Sequence, residues 1–154
     1  AFEKIDINLD ILGDGPLYNE AKKKKFNNIK LHGNLPRDEV NKFISKSKFL
    51  VFPSEWYESF PMTILEAFRE GTLVLASNIG SIKSIIKDRF NGILFEPGNT
   101  SDLIDKVKWI LNNQKECDQI ALNANNEFKK KYSSEINYKQ LIDGDEEAIK
   151  DNEN

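Results

Sequence analysis

The chain has 154 residues, 39% of them hydrophobic and 31% charged, the balance of a globular domain large enough for one sizeable core but not two. With 22 basic against 25 acidic side chains the formal net charge is −3, so no bulk positive field recruits a phosphate backbone or an anionic membrane, and nucleic acid is not an expected partner. The single cysteine, Cys117, excludes an intrachain disulfide framework, no Cys/His pair has zinc-ligand spacing, and neither a secretory signal nor an apolar run of roughly 18–20 residues is present; a reducing cytoplasm fits.

Short apolar, β-branched runs alternate with segments of helical periodicity, the pattern of a parallel sheet covered by helices. The first run, Leu9–Leu12, precedes a helix at about Leu17–Phe26, whose four consecutive lysines, Lys22 to Lys25, lack an aromatic wedge and are expected to be a solvated face. A second strand, Ile29–His32, leads to a helix at Asp38–Ser45, and a third, Phe49–Pro53, to a helix at Pro61–Glu70 with Gly71 placed as its C-cap. The fourth strand is Leu73–Ala76, followed by a helix at Ile82–Asp88; the fifth is Ile93–Phe95. Each run is too short and too continuously apolar for a half-exposed antiparallel strand.

After the turn Glu96-Pro97-Gly98-Asn99, a helix is expected with Leu103, Ile104, Val107, Ile110 and Leu111 on one stripe facing the sheet. A last helix, about Cys117–Tyr132, reads as polar and marginal, and residues 143–154 as an acidic tail that frays. The expectation is an α/β fold: one domain over residues 1–142, built on a doubly wound parallel sheet with helices on both faces.

The stretch from Phe49 to Phe68 carries the chemistry. Proline suits the first helical turn and disfavours helical dihedrals before it, so Glu58, Ser59 and Phe60 should be an extended lead-in and Pro61 onward a helix. The free amides of Met62, Thr63 and Ile64 would then point toward the carboxyl edge of the sheet, where open α/β folds bind ligands and where an anion is stabilised. Glu66 lies inside that helix and Glu58 outside it, so the two carboxylates can bracket an elongated ligand with a negatively charged middle. A carboxylate accepts two hydrogen bonds side by side from vicinal hydroxyls, and a nucleoside diphosphate sugar offers hydroxyls at both ends. The spacing alone leaves a plainer role open, in which Glu58 complements the helix dipole and Glu66 is a surface residue.

The string Glu58-Ser-Phe-Pro-Met-Thr-Ile-Leu-Glu66, with Pro53-Ser54 before it and Ala67 after it, resembles the E-x7-E motif of the large family 4 of retaining GT-B glycosyltransferases. Other blocks fall in that family's order: Ile11-Leu12-Gly13-Asp14-Gly15-Pro16, Ile29-Lys30-Leu31-His32-Gly33, Val74-Leu75-Ala76-Ser77, and Asn91-Gly92-Ile93-Leu94-Phe95 with Pro97-Gly98. The resemblance implies the Rossmann-like nucleotide-sugar-binding domain of such an enzyme, with Glu66 on the ribose hydroxyls and Glu58 on the donor sugar at the catalytic centre. It also implies backbone contacts from Phe60, Met62 and Thr63 to sugar and diphosphate, and a base lying near Gly33, Asn34 and Leu35. No metal is expected; the acceptor would be a glycan or lipid-linked hydroxyl. The activity implied is retaining sugar transfer in polysaccharide or glycoconjugate biosynthesis. A GT-B epimerase or phosphorylase, or a non-catalytic nucleotide-sugar-binding fragment, is the alternative.

Two departures stand out. Ser81 and Ser84 occupy the places of a second glycine and a glutamate that family members carry after the Ala-Ser strand. Ala1-Phe2-Glu3-Lys4-Ile5 resembles the end of the family's first helix, so the first strand, the upstream Arg/Lys pair and the acceptor domain are expected to be missing. The chain alone would then be inactive, and exposed sheet edges would favour self-association. In the full-length protein a peripheral place at the inner membrane face stays open.

Other signals carry less. Gly13 and Gly15 lack the third glycine of a phosphate loop, and that turn reads as structural. For Gly33 a plain strand-end turn needing positive φ is the alternative to a base-binding edge. Asp143-Gly144-Asp145 sits in the acidic tail, not at a strand end, and is set aside as a metal motif. His32 is expected to be a structural histidine, and Trp56 and Tyr57 either stack on a sugar or pack in the turn.

Overall fold

In the computed structural model, which describes residues 1–56 and 61–132, strands and helices alternate along the chain. A 3-10 turn at Phe2–Lys4 precedes β1 (Leu9–Leu12), α1 (Tyr18–Lys23), β2 (Ile29–Gly33), α2 (Arg37–Lys46) and β3 (Phe49–Phe52). Then follow α3 (Met62–Glu70), β4 (Leu73–Ser77), α4 (Ile82–Ile85), β5 (Ile93–Phe95), α5 (Thr100–Asn112) and α6 (Gln114–Lys131). The expected strands are all present, and every pairing between them is parallel. They form two hydrogen-bonded sheets, β1-β2 and β3-β4-β5, so among the described residues β1 and β3 each keep one unpaired edge. Both sheets feed one apolar cluster, in which Leu9 and Ile29 join Phe49 and Val51 around Phe2, Leu73 and Leu75.

β4 organises the layers. Its side chains alternate, as a strand's must: Leu73 and Leu75 enter the cluster on one face, with Ile93, Phe95, Val107 and Ile110, while Val74 and Ala76 enter the other, with Ile64, Leu65, Phe68, Ile82 and Ile44. Helices therefore cover both faces of this Rossmann-like sheet. Burial is complete only on β4, whereas β1 and β2 put Asp10 and Lys30 into solvent and β3 is half-buried along its length. Among the described residues β4 alone has a strand on both sides, and helices cover both its faces, which is why its burial is complete.

Several helix ends move for local reasons. α1 stops at Lys23, short of Phe26, buries nothing, and leaves Lys22 to Lys25 exposed as expected. α3 starts at Met62 with Pro61 as its N-cap, and ends where Gly71, at φ 71°, donates to the carbonyls of Ala67 and Phe68. α4 closes at Ile85 because the next segment has its own partners: Asn91 Oδ1 accepts from the Lys87 amide at 2.7 Å and Asp88 Oδ1 from the Leu94 amide at 2.8 Å.

The largest correction is α6, which is anything but marginal. Cys117 and Ile120 pack on the α5 face of the sheet, while Ala124 and Phe128 pack on the α3 face, so one stripe of the helix closes the edge between the two clusters. Its polar residues are anchors. Asn125 Nδ2 donates to the carbonyls of Phe68 (3.0 Å) and Arg69 (2.8 Å), Asn123 Nδ2 donates to the Phe90 carbonyl, and Glu127 accepts from Asn91 and from Lys131 at 3.1 Å. These partners lie far away in the chain, so no periodicity in α6 itself reveals them. The 143–154 tail lies outside the described residues, and among the described residues no helix is long and apolar enough to cross a membrane.

Asn91-Gly92 is a packing device. Asn91 is 1% exposed, and a Cβ on Gly92 would lie 2.9 Å from Ile86 Cγ2 and 3.3 Å from the Val74 carbonyl oxygen. Ile86 is itself 1% exposed and has no room to yield. Gly92→Ala should therefore cost about 1–3 kcal/mol by overpacking and lower the thermal midpoint by several degrees; an unchanged midpoint would refute the packing argument.

Burial alone raises Glu127, but the hydrogen bonds from Lys131 and Asn91 and the charges of Lys131 and Lys87 outweigh it and hold the carboxyl below its ordinary range. A depressed folded-state pKa gives stabilisation that is complete above the unfolded value of about 4.3 and is lost as pH falls through the lower folded value. The stability gap between the wild type and Glu127→Gln should thus be widest near neutral pH and narrow below about pH 4, which melting curves across pH would show.

Candidate functional site

Parallel strands deliver their carboxyl ends to one edge of a sheet, and the loops after β3, β4 and β5 meet there. Ser54 Oγ donates to the Trp56 carbonyl at 3.2 Å and shapes the turn after β3. The Asn78 amide donates to the Phe95 carbonyl at 2.8 Å, joining the loops after β4 and β5. Glu55 Oε1 lies beside Gly98, 3.6 Å from where its Cβ would be, so the loops after β3 and β5 also touch. Gly80 and Gly98 take positive φ, 52° and 72°, in these turns. Ser84, at the family's glutamate position, donates to the Ser81 carbonyl at 2.6 Å within its own short helix.

The mouth of α3 opens at this edge. Pro61 is buried and non-helical (φ −78°, ψ 82°), and no side chain caps the helix. The Ile64 amide already donates to the Pro61 carbonyl at 3.0 Å, so two amides, those of Met62 and Thr63, stand at the mouth instead of the three expected. Met62 is 51% exposed and Thr63 half-buried. Glu58 and Phe60 lie outside the described residues, as do Tyr57 and Asp143-Gly144-Asp145.

Glu66, in the second turn of α3, is a surface residue only in name. Its side chain is 11% exposed, and Oε1 lies 2.6 Å from Nη2 of Arg37, whose own side chain is 66% exposed. Arg37 is the first residue of α2 and follows directly on Gly33-Asn34-Leu35-Pro36. Gly33 closes β2 with φ 70°, and a Cβ there would sit 3.3 Å from Tyr18 Oη; Asn34 is exposed and Leu35 half-buried. The ion pair therefore draws the turn after β2 and the acid of α3 together, the two places expected to meet the base and the ribose of one nucleoside. Arg37 itself escaped that reading. A signal existed: a cation at the first position of a helix opposes the dipole that Asp38 and Glu39, next in line, complement.

Two buried polar atoms near this region lack a partner among the described residues. They are Ser77 Oγ, at the carboxyl end of β4, and Asn41 Oδ1, one helical turn after Arg37. His32 is structural as expected, with Nε2 2.7 Å from Asp10 Oδ1 and its ring 4.7 Å from that of Phe43. Trp56 is 82% exposed, which rules out packing within the turn. Among the described residues no three His, Cys, Asp or Glu side chains gather to hold a metal ion. Gly13 (φ 124°) donates its amide to the Gly33 carbonyl at 2.7 Å, a structural tie between β1 and β2.

The order of strands, the helix mouth and the acid eight residues beyond position 58 are the layout that the sequence motif carries, and the model of the family described as glycosyl transferases group 1 matches residues 1–127. The chain belongs to this family. Within glycosyl transferases group 1, it is 35% identical over 139 residues to an uncharacterised glycosyltransferase of Methanocaldococcus jannaschii, covering 88% of this chain and 39% of the relative. It is 32% identical over 124 residues to the sulfoquinovosyl transferase of Arabidopsis thaliana, covering 77% and 24% respectively. The fold is that of Anabaena HepE crystallised with UDP-glucose, at a TM-score of 0.78 and 19% identity, over 89% of this chain and 40% of that one. The group 1 chain thus spans about two fifths of the M. jannaschii relative, at 39% of its length.

Proposed function

We propose that this chain is the donor-binding half of a retaining glycosyltransferase that moves a sugar from a nucleoside diphosphate to a glycan or lipid-linked hydroxyl. The observation that carries the reading is Glu66: a carboxylate 11% exposed, set behind an uncapped helix mouth and tied at 2.6 Å to the end of the turn after β2. Buried acids are rare without a task, and this one presents a charged acceptor beside an anion-binding helix end. The ribose hydroxyls donate to Glu66, the diphosphate meets the amides of Met62 and Thr63, and the base lies along Gly33, Asn34 and Leu35. Glu58 and Phe60 take the donor sugar. UDP-glucose in the structural neighbour from Anabaena and the UDP-galactose donor in the name of an Escherichia coli relative, 31% identical over 101 residues, support a nucleotide-sugar donor.

No protein nucleophile is assigned. The departing diphosphate helps take the acceptor proton on the same face, so the chain's residues act by positioning and by electrostatic stabilisation of the leaving group, and no metal is invoked. The acceptor is held by a further domain, and a cytoplasmic setting is part of the proposal.

Titration of the purified chain with UDP-, GDP- and ADP-sugars is expected to give binding to one of them. Glu66→Ala should weaken that binding by about 10- to 100-fold, the loss of charge-assisted hydrogen bonds to the ribose. Equal affinity in the variant, with the fold intact, would remove Glu66 from the site. The unpaired edges of β1 and β3 should make the isolated chain self-associate with concentration in sedimentation velocity. A monodisperse monomer that unfolds cooperatively would contradict this.

A further inference from the structure

We infer that Arg37 is the positioning residue through which the site recognises ribose: its guanidinium holds one oxygen of Glu66 so that the other faces the vicinal hydroxyls. The inference rests on the ribose reading of Glu66 proposed above and adds a residue to it. Three features of the molecule point the same way.

The first is the geometry of the pair. Nη2 of Arg37 lies 2.6 Å from Oε1 of Glu66, while Oε2 makes no hydrogen bond or ion pair with a described residue. A carboxylate carries about four acceptor sites, and a single contact to one oxygen restricts rotation of the group while leaving the second oxygen free to accept. The second is the contrast in burial. Glu66 is 11% exposed and Arg37 66%, so the carboxylate lies below and the cation lies at the surface, bordering any ligand that reaches the acid.

The third is position in the chain. Arg37 occupies the first turn of α2, where a positive charge is electrostatically unfavourable, and the neighbouring Asp38 and Glu39 obey the rule that Arg37 breaks. Among the described residues Glu66 is the acid within ion-pair distance of Arg37; Asp38 and Glu39 are not. A side chain placed against the local preference of its helix, and satisfied only by an acid on another helix, is explained by what it does to that acid. The pair also couples the turn 33–36, assigned to the base, to the carboxylate assigned to the ribose. Recognition of the two halves of the nucleoside is thereby made interdependent.

The test compares binding of UDP, GDP and ADP with that of their 2′,3′-dideoxyribose forms to the full chain, by calorimetry, for wild type, Arg37→Ala, Arg37→Lys, Glu66→Ala and the double Ala variant. Wild type should prefer the ribose form of its nucleotide on the order of 30-fold, as expected for hydroxyls bound to a charged acceptor. Arg37→Ala should cut that preference to roughly threefold or less, Arg37→Lys should restore part of it, and the double variant should discriminate no worse than Glu66→Ala alone. Melting curves verify that each variant is folded, which the exposure of Arg37 favours.

The outcomes separate cleanly. If Glu66→Ala abolishes the preference and Arg37→Ala keeps it, Arg37 has no positioning role and the ribose reading stands without it. If Arg37→Ala weakens ribose and dideoxyribose forms equally, or tightens both, its role is structural or obstructive and the inference fails. If Glu66→Ala keeps the preference, or no diphosphate binds the wild type, the ribose reading itself falls and takes the inference with it.

Discussion

β4 is the constraint on which the rest depends. Its residues alternate between two apolar clusters, and from Leu73 to Ala76 they are at most 3% exposed, so both faces of the strand must be roofed by helices and both edges paired. α3 and α4 roof one face and α5 the other, while β3 and β5 pair the edges. Parallel pairing then sends the loops after all three strands to a single edge. The mouth of α3 stands at that edge because the chain leaving β3 must turn there before it can return across the face.

α6 shows how a helix of unremarkable sequence becomes indispensable. The side chains that contact the core are few, and they serve two clusters in succession along one stripe instead of one face throughout. Asn125 satisfies carbonyls at the carboxyl end of α3, Asn123 satisfies the Phe90 carbonyl in the loop to β5, and Glu127 accepts from the Asn91 side chain. Helix ends need such partners, and here a neighbouring helix supplies them. The same α3 whose carboxyl end is held by α6 leaves its other end without a side-chain cap.

The family's motif blocks divide into two physical kinds. Asn91-Gly92 and Gly71 are there because of packing and backbone geometry: no Cβ fits at Gly92, and Gly71 must adopt φ 71°. Glu66, Met62 and Thr63 are not explained by packing, since the first is a nearly buried acid and the others leave amides open at a helix start. Ser84, in place of the acid that family members carry, donates to the Ser81 carbonyl within its own helix and brings no negative charge to that position.

By itself the sequence determined the order of elements, the parallel α/β class, the C-cap at Gly71 and the candidacy of Glu66, because these follow from local periodicity, from the dihedral limits of proline and glycine, and from a motif contiguous in the chain. Strand ends were legible to within a residue for the same reason. Tertiary structure alone decided that the strands fall into two sheets, that only β4 is buried throughout, that α6 closes the edge between both faces, and that Arg37 meets Glu66. Each of those facts joins residues far apart in the chain, and a contact between two helices is settled by how their faces pack in three dimensions, which no short window of sequence encodes.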